Sequence, residues 1–230
     1  MLAPVAERLT LALPKGRILK AAAPMLAEVG IDLSSILADK GDRRLRFELG
    51  DDLQIFMVKP VDVPTYVAHG IAHVGIAGFD TIEEEGRDLY VPVDLQIGRC
   101  RMSVAEPADR RAGMHPGETL RVATKYPNIA EAHYQRRGIP CEIIKLYGSV
   151  ELGPLTGLSD QIVDVVESGE TLRQNGLVEV ETIFEVSSRL VVHPPSLKLR
   201  RARLEPIIEG LAAQLAAAAT PSGSAEAASS

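Results

Sequence analysis

The stretch Ile162-Val-Asp-Val-Val-Glu-Ser-Gly-Glu-Thr-Leu-Arg-Gln-Asn-Gly176 reads as a buried strand, a small polar loop and a short helix. The apolar run from Ile162 to Val166 is broken by a single carboxylate, Asp164, a pattern that suits a strand covered on both faces. Glu167, Ser168, Gly169, Glu170 and Thr171 follow as a polar loop. A helix is expected from about Thr171 to Gly176, a residue suited to a left-handed cap. Such a junction is an anion cradle, because backbone N–H groups and the hydroxyls of Ser168 and Thr171 can point at a phosphate. Its carboxylates repel a bare phosphate but suit sugar hydroxyls, or a magnesium ion shared with pyrophosphate. Phosphate, diol and magnesium together describe an activated ribose phosphate. The same residues also make an ordinary strand-to-helix turn, and taken alone they favour that plainer reading.

The stretch has an echo upstream. When Gly75-Ile-Ala-Gly-Phe-Asp-Thr-Ile-Glu-Glu-Glu-Gly86 is laid over residues 165–176, Asp80 falls on Glu170, Thr81 on Thr171, Ile82 on Leu172 and Gly86 on Gly176. The same register puts Pro64 on Pro154. Further upstream, Leu11-Ala-Leu-Pro-Lys15 matches Arg121-Val-Ala-Thr-Lys125, and each lysine precedes a helical pattern ending in Gly-Ile. The residue identities are weak, but their order repeats, which is the signature of a duplicated unit. Alternating strands and helices then imply an α/β fold of two lobes, each a mixed, mostly parallel sheet flanked by helices. The segments Leu89 to Ala105 and Leu177 to Val192 read as long strands crossing between the lobes. The expected division is 1–95 plus 186–219 for lobe one, 96–185 for lobe two, and a disordered tail over 220–230. Two crossings make a hinge beside a cleft, toward which the loops at the carboxyl ends of the strands are expected to face.

Composition narrows the function classes. A 230-residue chain with 46% hydrophobic residues can fill one large core or two small ones. A net charge of −6 argues against nucleic acid as a partner, and 4% aromatics with no Trp argues against a base-stacking platform. The basic run Lys198 to Arg203 is read as a solvated helix start. Two cysteines, Cys100 and Cys141, fit a reducing compartment without a disulfide framework. No signal peptide or membrane span is legible, so the expectation is a cytoplasmic protein.

Other residues are candidates for chemistry. Lys15, Gly16 and Arg17 follow the first strand and open the first helix, where glycine admits a ligand close to the backbone and the cations favour phosphate. A solvated basic turn reads the same way. Lys59 ends the strand Leu53 to Val58, a place suited to a departing pyrophosphate and equally to a surface lysine. Arg101, in the first crossing strand, lines the cleft or faces solvent. Gly148-Ser149-Val150-Glu151 suits a ligand loop, with Glu151 on a hydroxyl or a metal-bound water, and also a helix start capped by Ser149. His69 and His73 have metal-pair spacing, but Gly70 is expected to end the helix between them. No nucleophile, base and orienting-acid set stands out, which favours catalysis by positioning and charge stabilisation.

Taken together these stretches resemble the ATP phosphoribosyltransferase family. The matching segments are Leu11 to Arg17, Asp62 to Val67, Gly75 to Gly78, Arg121 to Pro127, Gly148 to Leu152 and Ile162 to Leu172. The resemblance implies a fold like that of periplasmic binding proteins. It also implies transfer of the phosphoribosyl group of phosphoribosyl pyrophosphate (PRPP) to N1 of the adenine of ATP, with pyrophosphate released and Mg2+ required. The chain is similar to the family's short form, which implies a homodimer joined to a regulatory subunit resembling histidyl-tRNA synthetase in a hetero-octamer. Carried over, Glu167 to Thr171 take the ribose 5-phosphate and Asp164 lies near the ribose. Lys15, Gly16, Arg17 and Arg101 meet phosphates of the nucleotide or of pyrophosphate, and Lys59, Asp164 and Glu151 serve catalysis. Two positions depart from the family pattern: Lys59, often Arg there, and Phe79, often Lys. A non-catalytic bilobal sensor and an inactive regulatory paralogue are the competing readings.

Overall fold

A computed structural model describes residues 8–38, 43–109 and 119–219; the tail expected over 220–230 and His115 lie outside them. In chain order the elements are β1 (Leu9–Pro14), α1 (Arg17–Glu28), α2 (Ser34–Ala38), β2 (Arg46–Leu49), β3 (Leu53–Val58), α3 (Val63–Ala68), β4 (Val74–Gly78), α4 (Phe79–Glu85), β5 (Tyr90–Asp94) and β6 (Cys100–Pro107). The second half continues with β7 (Leu120–Thr124), α5 (Pro127–Arg136), β8 (Cys141–Lys145), α6 (Leu152–Leu155), β9 (Gln161–Val166), α7 (Glu170–Gln174), β10 (Leu177–Val186), β11 (Ser188–Val192), α8 (Pro194–Leu199) and α9 (Arg201–Ala219).

These strands form two sheets, in the orders β2-β3-β1-β4-β11-β5 and β10-β6-β9-β7-β8. Each contains three adjacent parallel strands together with antiparallel pairs; in the second sheet the parallel trio reaches the β8 edge and the antiparallel pairs lie on the β10 side. In the first, β1 runs parallel to β3 and β4; in the second, β7 runs parallel to β8 and β9. The trios β3-β1-β4 and β8-β7-β9 are therefore the same unit drawn twice. Their central strands end at the two lysines that the sequence pairs, Lys15 and Lys125. The weak repeat survives at this level because topology tolerates side-chain drift that pairwise identity does not.

The expected crossing segments are each two strands, one per sheet. Leu89 to Ala105 contains β5 and β6, and Leu177 to Val192 contains β10 and β11. By contact density the described residues form two compact units. The first comprises the residues up to Ala77, Asp88–Ile97 and those from Arg189 on; the second comprises Gly78–Arg87 and Gly98–Ser188. Helix α4 thus belongs with the second unit, although β4 before it lies in the first sheet.

Each unit has its own core. In the first, β1 is buried at all six positions, as an apolar run in a central strand should be, and its Leu9, Leu11 and Leu13 pack with Ile55, Leu26, Leu204 and Leu211. Leu19, Ala22 and Leu26 present one face of α1 to that core. In the second, Met102, Val104, Val122 and Val163 from three strands meet Ile129, Ala130 and Tyr134 of α5. Ala105, Ala123 and Ile162 cover the other face with Val150, Leu172 and Leu177.

Candidate functional site

In the second unit, β9 ends at Val166 and α7 begins at Glu170, so the polar loop occupies the place the sequence gives it. Gly169 holds the turn with φ +74°, a left-handed conformation that glycine adopts without penalty. The Ser168 hydroxyl accepts from the Glu170 amide at 3.3 Å, and the first-turn N–H groups of Thr171 and Leu172 have no intrahelical acceptor. Glu167, Ser168, Glu170 and Thr171 are exposed. The Glu170 carboxylate is held by Arg173 and by the Gln174 amide at 2.9 Å, hydrogen bonds that hold its pKa below the usual carboxylate range.

Asp164 lies inside the strand that feeds this loop and is partly buried. Burial pushes its carboxyl above the usual range, the Val165 amide (2.9 Å) and nearby Lys125 pull it back, and Glu151 and Asp80 push it further up. Asp164, Glu151 and Lys125 therefore share one electrostatic neighbourhood in this unit, together with Asp80. The Tyr126 hydroxyl donates to Asp80 at 2.7 Å, and burial, then the Asp80 charge, raise the phenol's pKa. Lys125 and Asp80 are absent from the sequence-based site. The echo Thr-Lys125 held the signal for the first, and the overlay of Asp80 on Glu170 held it for the second.

Ser149 does not cap a helix. Its side chain caps nothing in α6, and its own backbone is left-handed at φ 48°. Its carbonyl instead accepts from the Leu152 amide at 3.1 Å. The loop is a tight turn in which serine tolerates a conformation better suited to glycine.

Arg101 is occupied. Its Nε and Nη2 grip both oxygens of Glu179 at 2.6 and 2.5 Å, and its Nη1 donates to the Glu167 carbonyl at 3.2 Å. The side chain expected on a phosphate is thus engaged with a carboxylate and with the loop backbone.

In the first unit, β1 and β3 end side by side in register, Pro14 opposite Val58, and the Lys15 amide donates to the Val58 carbonyl at 3.3 Å. Lys15 and Lys59 therefore emerge from adjacent parallel strand ends, both exposed. Gly16, at φ +100°, turns the chain into α1 and puts Arg17 in its first turn. The structure brings Lys15, Gly16, Arg17 and Lys59 together as one basic set beside the start of a twelve-residue helix.

Phe79 is a packing residue. Its ring meets Phe184 edge-on at 5.4 Å and its amide donates to the Ser187 carbonyl at 2.9 Å. His73 is structural too: its Nδ1 accepts from the Thr10 amide at 2.9 Å, and burial, with Arg200 and His193 nearby, lowers its pKa to about 4. Gly70 ends the turn after α3 with φ +67°, as expected. Among the described residues no group of three His, Cys, Asp or Glu side chains is placed to hold a metal ion, and no helix is long and apolar enough to cross a membrane.

Known proteins share this arrangement. A family model described as ATP phosphoribosyltransferase matches residues 59–213. An "ATP phosphoribosyltransferase 2" of Geobacter sulfurreducens is 50% identical over 208 residues, covering 89% of this chain and 97% of that protein. An ATP phosphoribosyltransferase of Acidithiobacillus ferrooxidans is 51% identical over 211 residues, covering 90% and 97%. Among solved structures, a chain of the ATP phosphoribosyl transferase (HisG:HisZ) complex from Thermotoga maritima superposes with a TM-score of 0.78 at 36% identity, covering 92% of this chain and all of that one. The substrate-binding protein of an amino-acid ABC transporter superposes at 0.56 with 12% identity, a likeness of fold alone.

Proposed function

Because this chain belongs to the ATP phosphoribosyltransferase family, we propose that its two sets of site residues divide the substrates' phosphates between them. The chain is a pentosyltransferase: it moves the phosphoribosyl group of PRPP to N1 of the adenine of ATP and releases pyrophosphate, the first step of histidine biosynthesis. Similarity across nearly the whole length of named transferases favours this activity over a non-catalytic sensor or an inactive paralogue.

The loop Glu167 to Thr171 takes the ribose 5-phosphate, with Ser168, Gly169 and Thr171 supplying hydroxyls and amides. What supports this is the open, left-handed turn at Gly169 followed by first-turn N–H groups that lack intrahelical acceptors. Asp164 accepts from a ribose hydroxyl, and its charge, unfavourable in a half-buried place, gains from the positive character that develops at the anomeric carbon. Lys125 favours its ionised form against that burial. Glu151 shares that charge neighbourhood and orients a hydroxyl or a bound water.

Lys15, Gly16, Arg17 and Lys59 bind nucleotide or pyrophosphate oxygens. Their charge stabilises the departing group, and a displacement of this kind needs positioning and charge rather than a protein nucleophile. Lysine at position 59 acts as a point charge where arginine would grip two oxygens at once. Magnesium, carried mainly by pyrophosphate, would neutralise charge on that leaving group. The solved relative is a two-protein complex, which supports a regulatory partner of that type here. A homodimer within a hetero-octamer and a cytoplasmic location complete the proposal.

The test is direct: the chain, with a partner of this type, is incubated with ATP, PRPP and Mg2+, and phosphoribosyl-ATP and pyrophosphate are measured. Stoichiometric formation of both is expected. Absence of both, from folded protein that still binds PRPP, overturns the transferase assignment.

A further inference from the structure

We propose that Glu179 is a positioning residue for the ribose-phosphate loop and that it acts through Arg101. The inference rests on the reading of Glu167 to Thr171 as the PRPP loop. In the register of β6 with β9, Arg101 stands opposite Val166, the last residue of β9, so its guanidinium reaches just past the strand end. There Nη1 donates to the Glu167 carbonyl at 3.2 Å, fixing the first peptide of the loop. The rest of the guanidinium is fixed by Glu179, whose two oxygens take Nε and Nη2.

Glu179 is itself over-determined. Its Oε1 also accepts from the Ser103 hydroxyl at 2.7 Å and the Thr182 hydroxyl at 3.1 Å. Ser103 is buried on β6, and a register shift in β10 falls between Glu179 and Glu181. The hydrogen bonds, that from Arg101 foremost, hold the Glu179 carboxyl down to about 2, so it stays ionised across the working pH range. The Arg101–Glu179 pair is close to neutral as a unit. Its contribution to an anionic ligand is therefore geometric: it sets where the loop's amides and hydroxyls stand, and adds little attraction of its own. A fork with three usable donor nitrogens is required, one for the loop and two for the carboxylate, which lysine cannot provide.

Steady-state kinetics of the full chain in its active assembly provide the test. Glu179→Gln keeps the shape but removes the charge that aligns the fork, and should raise KM for PRPP roughly tenfold while KM for ATP stays within about twofold and Tm falls by no more than about 5 °C. Arg101→Lys should do the same, and Glu179→Gln combined with Arg101→Lys should be no worse than Arg101→Lys alone. If Glu179→Gln leaves KM for PRPP unchanged while Arg101→Lys raises it, Arg101 acts on the substrate directly and the positioning role is wrong. If KM for PRPP and KM for ATP rise together and Tm drops by more than that, the pair is merely structural. Ser168→Ala and Thr171→Val are measured alongside. Their failure to raise KM for PRPP would sink the loop assignment, and the positioning role with it. A rise there without one in Glu179→Gln sinks the positioning role only.

Discussion

The two strand-to-helix junctions that the sequence lays over one another, β4 into α4 and β9 into α7, fold alike and behave in opposite ways. Both are a strand, a glycine, a short helix and a left-handed glycine at its end, Gly86 at φ +57° and Gly176 at φ +66°. The first is closed. Gly78 is in ordinary extended conformation, and a Cβ there would sit 2.2 Å from Asp80 Oδ1. Asp80 is held by Tyr126, and the Glu84 carboxylate accepts from the Asn128 and Ile129 amides at the start of α5. The second is open. Gly169 is left-handed, a Cβ there meets nothing closer than 3.5 Å, and the residues around it face solvent. One glycine is needed for space and the other for conformation. A duplicated unit has thus supplied one junction that packs and one that is open to solvent.

Exchanging the carboxylates tests that contrast most strongly. Asp164→Asn should lower kcat/KM for PRPP about a hundredfold, the scale of a lost transition-state charge contact, without lowering Tm, because the folded protein already disfavours its charge. Asp80→Asn should cost stability of about 1 kcal/mol through the weakened Tyr126 hydrogen bond and change kcat/KM less than tenfold. Equal kinetic damage from both would erase the distinction.

Acid should act on the two junctions by separate routes. His73, just before β4, has its folded pKa lowered to about 4, so its neutral form belongs to the fold. Stability from it is present above the unfolded pKa near 6.5 and is lost as pH falls from there toward 4. Allowing for its partial exposure, the loss is about 1–2 kcal/mol. Thermal melts between pH 7 and 4 should show it, and His73→Asn should flatten that limb. Asp164, with its carboxyl raised, should be the group whose protonation cuts turnover first as pH drops, so the acid limb of kcat/KM should move down in pH when Glu151→Gln removes one of its repelling neighbours.

The glycines give the smallest and most diagnostic effects. Gly169→Ala should destabilise by about 1 kcal/mol through left-handed strain, and Gly169→Asn by less. Gly78→Ala should cost a similar amount by displacing Asp80, and that cost should shrink in a Tyr126→Phe background, where the hydrogen bond is already gone. Calorimetry on the four variants and the double variant decides it.

Much of this was legible in the chain because backbone punctuation is local. β9, the Gly169 loop, the end of β3 at Lys59 and the crossing segments follow from apolar runs and glycines. What was illegible is pairing across long sequence separations. Arg101 and Glu179 lie on neighbouring strands but 78 residues apart, and nothing in either local pattern announces the other. Phe79 packs its ring edge-on against Phe184, a partner only folding identifies. Ser149 misled for a related reason: a serine before a short helix has the composition of a cap, whereas its φ of 48° makes it a turn residue.

β10 has a further consequence, for solubility. It is the outermost strand of its sheet and ten residues long, with Val178 and Val180 exposed. A flat edge of that length is a template for strands of other chains and a seed for aggregation. Two register shifts, at Glu179/Glu181 and Thr182/Phe184, interrupt its ladder, and Glu185 adds an exposed charge, while Glu179 and Glu181 are paired with Arg101 and Arg137. The irregular pairing that seats Glu179 against Arg101 also keeps this edge from recruiting a neighbour, so straightening β10 by deleting a bulge residue should show first as lost soluble yield.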